Sequence, residues 1–151
     1  MDLSALEARL AILNLEGEYA RTWDIGDAEG WASLFTEEGV FEMAAVGKRP
    51  VERYAGHAAL ADFCRNINES YQGLHLMHVP SLSIDGDEAR GWMHFEFRAR
   101  RGDELLYVAG IYKVIYRRGP EGWRMHHRLE QAVQRGPSSF HGIPESLKQG
   151  R

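Results

Sequence analysis

The sequence predicts an α+β domain in which three helices lead into a mainly antiparallel sheet and cover one of its faces. Three observations lead there. Up to Glu69, apolar residues recur mostly at steps of three or four, as on a helix face. From Leu74 to Gln134 they alternate with polar residues, as on a half-buried strand. Turn clusters at Asp85-Gly86-Asp87, Arg101-Gly102-Asp103-Glu104 and Gly119-Pro120-Glu121-Gly122 divide that stretch into four strands. Helices and strands segregated in this order pack as helix layer on sheet. The sheet keeps one apolar and one charged face, as such packing requires.

Ser4-Ala5-Leu6-Glu7 fits a capping box, a hydroxyl N-cap with Glu three residues on. Behind it, Leu6, Leu10, Leu13, Gly17, Ala20 and Asp24 form one stripe. Ile12, Glu16, Tyr19 and Trp23 form a neighbouring one, so a helix of about five turns is expected. Gly26 ends it, and Asp27 can cap a second helix, Ala28 to Phe35, that buries Trp31, Leu34 and Phe35. Gly39 breaks that helix. Val40 to Val46 reads as a short strand and Gly47 to Gly56 as a loop. A third helix, Ala58 to Glu69, places Leu60, Phe63, Cys64 and Ile67 on one side. The four strands of the meander then run Leu74–Ile84, Ala89–Arg100, Leu105–Arg118 and Trp123–Gln134. From Arg135 the composition turns to Gly, Pro and Ser. The expected division is a domain over 1–134 and a tail over 135–151, placed to cover a pocket.

A chain of 151 residues, 44% of them apolar, suits one domain with one core. No apolar run approaches the roughly 18 residues of a membrane helix, so no membrane partner is expected. Met1-Asp2-Leu3-Ser4 lacks the basic segment of a secretion signal, and Cys64 is the only cysteine, so a cytoplasmic location is expected. A net charge of −4 argues against nucleic acid as the main partner. Among the seven histidines, His75 and His78 fall on opposite faces of a regular strand, and His126 and His127 diverge likewise. No metal site and no cofactor are therefore expected. There is no Gly-rich phosphate loop and no nucleophile-elbow serine.

Two-residue hairpin turns fix a trial register. The first turn pairs Ile84 with Ala89, and hence His78 with Phe95. The second pairs Phe95 with Gly110 and Met93 with Tyr112. The third pairs Gly110 with Gln131 and Val114 with His127. All of these residues then face inward, and a one-residue bulge would flip its strand. Two ionisable groups thus fall where apolar ones belong: Asp24, closing the first helical stripe, and His78, in mid-strand. A buried carboxylate left alone costs several kcal/mol, so a partner is expected. An Asp24–His78 hydrogen bond satisfies both, fixes the imidazole tautomer and makes a general base. Tyr19, one turn earlier, can donate to a substrate oxygen, and Gly110 leaves a hollow beside His78. Cys64 reads as core. Trp92, His94 and Arg98 form a row on the outer face that suits a contact between protomers.

The chain resembles the SnoaL-like branch of the nuclear-transport-factor-2-like superfamily. The resemblance rests on Glu18-Tyr19-Ala20-Arg21-Thr22-Trp23-Asp24-Ile25-Gly26-Asp27, on Trp31-Ala32-Ser33-Leu34-Phe35 and on Tyr54-Ala55-Gly56-His57. It continues through His78-Val79-Pro80, Ile84-Asp85-Gly86-Asp87-Glu88-Ala89, Gly110-Ile111-Tyr112 and Gly122-Trp123-Arg124. It implies a cone-shaped barrel around an internal pocket, and a homodimer or homotrimer joined through the sheet's outer face. Scytalone dehydratase, the bile-acid dehydratases and the lindane dehydrochlorinase use an Asp on the first helix and a His on the strand. Asp24 and His78 look like those residues, and Tyr19 looks like the dehydratase tyrosine. A second histidine of scytalone dehydratase has no counterpart, since Tyr107, Val108 and Ala109 stand there.

Together these readings give a cofactor-independent dehydratase, isomerase or cyclase for a small hydrophobic, ring-containing substrate. His78, Asp24 and Tyr19 carry the chemistry. Trp23, Phe41, Met93, Phe95, Phe97, Tyr112 and Leu129 line the pocket. Two alternatives stay open at this stage: a non-catalytic binder of apolar ligands, and a structural partner like the small subunit of aromatic-ring dioxygenases.

Overall fold

The computed structural model describes residues 3–137. Three helices, α1 (Leu3–Asp24), α2 (Ala28–Ser33) and α3 (His57–Ser70), pack on a seven-stranded sheet. The strands are β1 (Phe35–Met43), β2 (Glu52–Ala55), β3 (Gln72–Met77), β4 (Ser81–Asp85), β5 (Glu88–Arg101), β6 (Glu104–Gly119) and β7 (Gly122–Gly136). Their order is β2-β1-β7-β6-β5-β3, with β4 also on β5. Every pairing is antiparallel except β1 with β7. The α+β class is as expected, but the sheet is an open path of strands and does not close into a barrel.

Local chemistry sets the helix ends. Gly26 adopts φ 77°, which turns the chain out of α1. Asp27 then caps α2 by accepting from the Gly30 N–H at 2.9 Å. The stripe of α1 that reaches the core is Ile12, Leu15, Glu16, Tyr19 and Trp23. Leu6, Leu10 and Leu13, expected inside, lie on the exposed side. Helix α2 is shorter than expected, and Phe35 opens β1 instead of closing the helix. The expected loop 47–56 contains β2, which pairs with β1 from Val40↔Ala55 to Met43↔Glu52.

Between the layers, Trp31 is fully buried and meets Trp23, Phe35, Phe41 and Tyr19 at ring-centroid distances of 4.9 to 5.8 Å. Full burial of one such large apolar side chain contributes about 1.5–3 kcal/mol. Cys64 belongs to this core, and burial pushes its thiol up to about 12.

The hairpin β5–β6 keeps the register read from the turns, including Phe95↔Gly110 and Met93↔Tyr112. Its neighbours do not. Ser81↔Trp92 and Ile84↔Ala89 follow the expected register, but β3 pairs Met77, not His78, with Phe95. The slip falls at Val79-Pro80, two residues opposite Met93 alone. Pro80 has no N–H to give to the ladder, and such a bulge is where proline is tolerated. Past the slip every β3 side chain changes face, so Gly73, His75 and Met77 point inward and His78 points out.

Strand β7 slips twice against β6, first past Met125 and again past Ala132. Val114 therefore faces Arg128 and Tyr112 faces Glu130, where His127 and Leu129 were expected. Gly110 leaves no hollow, because a Cβ there would lie 2.2 Å from the Gln131 carbonyl oxygen. Strand β7 also runs past the expected domain limit to Gly136, and the rest of the expected covering tail lies outside the described residues.

Candidate active site

A cavity of about 350 Å³ opens between α1, α3 and the inner face of the sheet. Aromatic rings make most of its wall: Tyr19 and Trp23 from α1, Phe63 from α3, and Phe95, Phe97 and Tyr112 from the central strands. Phe41 and Met43 close one side, with Leu106 and Val108 on another. Of the seven residues expected to line the pocket, Trp23, Phe41, Phe95, Phe97 and Tyr112 do so. Met93 is buried in the core outside the lining. Leu129 pairs with Lys113 and is carried to the other face by the β7 slip.

The Asp24 carboxylate grips one residue twice. Its Oδ1 lies 2.7 Å from His75 Nδ1, and its Oδ2 accepts from the His75 backbone N–H at 2.9 Å. Both side chains are nearly buried. With Asp24 ionised, Nδ1 carries the proton and donates it to Oδ1. Nε2 is then the ring's lone-pair nitrogen, and it has no protein hydrogen-bond partner among the described residues. The imidazole is wedged among Phe97, Tyr19 and Trp23, with ring centroids at 4.6, 5.6 and 5.8 Å. A positively charged ring, formed when Nε2 takes a proton, is stabilised by the carboxylate behind it.

The expected Asp24–His78 pair does not form. The His78 side chain is 51% exposed on the outer face, with Nε2 3.4 Å from Glu96 Oε2. It stands beside His94, which in turn meets Trp92, so these residues share the outer face and do not reach the cavity. The cause is the slip at Val79-Pro80, which exchanges His78 for His75 on the inner face. His75 was visible in the sequence, but only a bulge could turn it inward.

Tyr19 lies where it was expected, fully buried and on the cavity wall. Burial pushes its phenol well above the ordinary tyrosine value, so it stays a proton-bearing donor at neutral pH. Its ring and that of Tyr112 sandwich the Arg128 guanidinium, whose carbon lies 3.8 and 3.9 Å from the two centroids. Arg128 Nη1 donates to both Glu16 oxygens at 2.9 Å, and Tyr116 donates to Glu16 Oε1 at 2.5 Å. This sealed ionic cluster escaped the sequence reading. Glu16 on an inward stripe was its only signal, since the bulge that turns Arg128 inward leaves no mark in the alternation.

One more acid reaches the cavity. Glu130 lines it, and burial raises its carboxyl above the ordinary 4.5 against the pull of His75, Arg49, Arg128 and Arg135. Among the described residues, no three His, Cys, Asp or Glu side chains group closely enough to hold a metal ion. No helix there is long and apolar enough to cross a membrane.

Comparison with known proteins follows the same lines. The SnoaL-like domain profile matches residues 4–129. A search of curated proteins finds no match. Among solved structures, Rv3472 of Mycobacterium tuberculosis, described as of unknown function, is 25% identical, with a TM-score of 0.77 over 88% of this chain and 75% of that one. A type 2 hexachlorocyclohexane dehydrochlorinase superposes with a TM-score of 0.82 at 19% identity, over 95% of this chain and 98% of its own. A protein assigned as a scytalone dehydratase from Novosphingobium aromaticivorans gives 0.79 at 16% identity, over 95% of both chains. At such identities the last two speak for the fold alone. With the profile spanning most of its length, the chain belongs to the SnoaL-like domain family.

Proposed function

We propose that this protein is a cofactor-independent lyase or isomerase that removes a proton beside a carbonyl in a hydrophobic, ring-containing small molecule. His75 is the base, acting through Nε2. Asp24 holds its tautomer and orientation and balances the charge it acquires. Tyr19 donates a hydrogen bond to the carbonyl oxygen, where negative charge develops. The observation that carries this reading is the doubly anchored Asp24–His75 pair, with its second ring nitrogen free of protein partners among the described residues, in an aromatic cavity. A positioned base contributes about 10²–10⁴-fold in rate. The dehydrochlorinase and the dehydratase among the structural neighbours are named for eliminations, which supports the class without fixing the substrate.

Benzylacetone tests the base directly. It offers one ring and exchangeable protons beside a ketone, and it has nothing to eliminate. In deuterium oxide the protein is expected to catalyse exchange of those protons. His75→Ala and Asp24→Asn should slow exchange at least about a hundredfold while the circular dichroism spectrum is kept. Exchange at the wild-type rate in both variants overturns the proposal. A ketone bound tightly and recovered unexchanged after long incubation would make the protein a carrier instead.

A further inference from the structure

Glu130, half-buried on the cavity wall, contrasts with Glu16, the acid sealed in the core. Glu16 is fully engaged: Arg128 and Tyr116 donate to its oxygens, and none of these three residues lines the cavity. Glu130 has no side-chain hydrogen bond or ion pair among the described residues, yet its side chain forms part of the cavity wall. Register explains how it gets there. On β7 it pairs with Tyr112 of β6 on one side and Met43 of β1 on the other, both cavity residues. Without the first β7 slip, Leu129 would occupy that place and the wall would be apolar at that point. A carboxyl group held without a hydrogen-bond partner in a mainly aromatic and aliphatic wall costs stability. Nothing in the packing around Glu130 uses it.

The groups that face it come from every neighbouring element. They are His75 on β3, Tyr19 on α1, Tyr112 on β6, Arg49 before β2, and Arg128 and Arg135 on β7 itself. We propose that Glu130 is the second proton-carrying residue of the site, the acid that protonates a departing oxygen while His75 removes a proton from carbon. This rests on the reading of His75 given above and narrows it to elimination of water from a β-hydroxy ketone.

The step balances as follows. His75 Nε2 takes the proton from the carbon beside the carbonyl. The electron pair left behind becomes the carbon–carbon double bond as the carbon–oxygen bond on the next carbon breaks. The departing oxygen takes the Glu130 proton and leaves as water. The site is left as imidazolium and carboxylate, and transfer of the proton from His75 to Glu130 through solvent restores it. No oxidant, reductant or metal enters. Burial agrees with this assignment, since it favours the protonated carboxyl that an acid must start from.

The aldol adduct of benzaldehyde and acetone is the matching probe. It is benzylacetone with a hydroxyl on the β-carbon, and its loss of water gives benzalacetone, followed by near-ultraviolet absorbance. Wild-type protein should dehydrate the aldol and exchange benzylacetone. Glu130→Gln should slow dehydration about 10²–10⁴-fold, far more than it slows exchange, and Glu130→Asp should restore part of the dehydration. Dehydration at the wild-type rate in Glu130→Gln overturns the inference, and so does an equal loss of both activities. Exchange and dehydration both retained in His75→Ala would sink the reading of His75 instead.

A third measurement needs no turnover. Followed as pH is raised from 4.5, the infrared spectrum of the free protein should contain a protonated-carboxyl band that persists above that value and that Glu130→Gln removes. Its absence overturns the inference even if neither probe reacts, and its presence supports it in that same case.

Discussion

Along the β5–β6 hairpin the register runs unbroken from Glu88↔Arg117 to Arg101↔Glu104, whereas the strands on either side each lose count. On one side, β3 and β4 share β5 but are out of step by one residue at Val79-Pro80. On the other, β7 slips past Met125 and again past Ala132. The regular hairpin supplies aromatic wall: Phe95, Phe97 and Tyr112. The broken strands supply His75, Arg128 and Glu130, the groups that carry charge or protons. Bulges re-aim side chains. Here they turn polar residues into a face that strict alternation would have filled with Leu76, His127 and Leu129. Regular pairing builds the container, and the breaks in it place the chemistry.

The largest effect should come from repairing a break. Pro80→Val gives the ladder back its missing N–H at the slip, so β3 is driven toward the face it would have without the bulge. His75 then leaves Asp24. The hydrogen-bonded Nδ1–H proton should vanish from the NMR spectrum, and ketone exchange should fall to the uncatalysed rate. A retained Nδ1–H signal would mean that the α1–β3 contact, and not the bulge, sets the strand's face.

Next in size is the sealed pair on β7. Arg128→Met strands Glu16 in the core and should cost about 3–5 kcal/mol in urea unfolding. Replacing Glu16 by Met as well should recover much of that loss, because two apolar side chains no longer leave a buried charge alone. If the double variant is no better than the single, the two tyrosine rings need the guanidinium more than Glu16 does.

A smaller effect concerns Glu130, and its sign follows from proton binding. The folded state holds the Glu130 proton more tightly than the unfolded chain does. The stability linked to that proton is therefore present below the ordinary value of 4.5 and is lost as pH rises through the elevated folded value. Glu130→Gln cannot ionise. It should melt above the wild type at pH 8, with the difference shrinking as pH falls towards 4.5. A difference that does not vary with pH would remove the case for a raised carboxyl. The smallest effect is expected at His78, since exposed substitutions away from special contacts change stability by about 0.5 kcal/mol or less. His78→Ala should leave both thermal unfolding and ketone exchange unchanged.

The same contrast explains what could be read in advance. The helix-to-sheet order, the Asp27 cap and the β5–β6 register follow from local rules, namely turn chemistry, alternation and capping, and they hold in the structure. Tyr19 was found because it lies on an apolar helix face, and Asp24 because a carboxylate at the edge of such a face needs a partner. The partner itself was missed by three residues. The slip at Val79-Pro80 is decided by how β3 meets α1 and β5 together, and nothing in the alternation of 74–84 marks it. Pro80 hinted that the ladder breaks there, though not by how many residues. The leucines of α1 mislead for a related reason. Periodicity shows that a helix has an apolar stripe, but Leu6, Leu10 and Leu13 stay exposed while the stripe beside them, carrying Glu16, turns inward.

The double grip of Asp24 on His75 has a mechanical consequence. One carboxylate ties both the ring and the main chain of the same residue to the end of a long helix, so the imidazole cannot swivel unless a strand travels with it. A molecule entering this cavity therefore meets a fixed anvil and must adapt to it. Any tuning towards one guest over another falls to the softer rings opposite, which can be exchanged without loosening the tether.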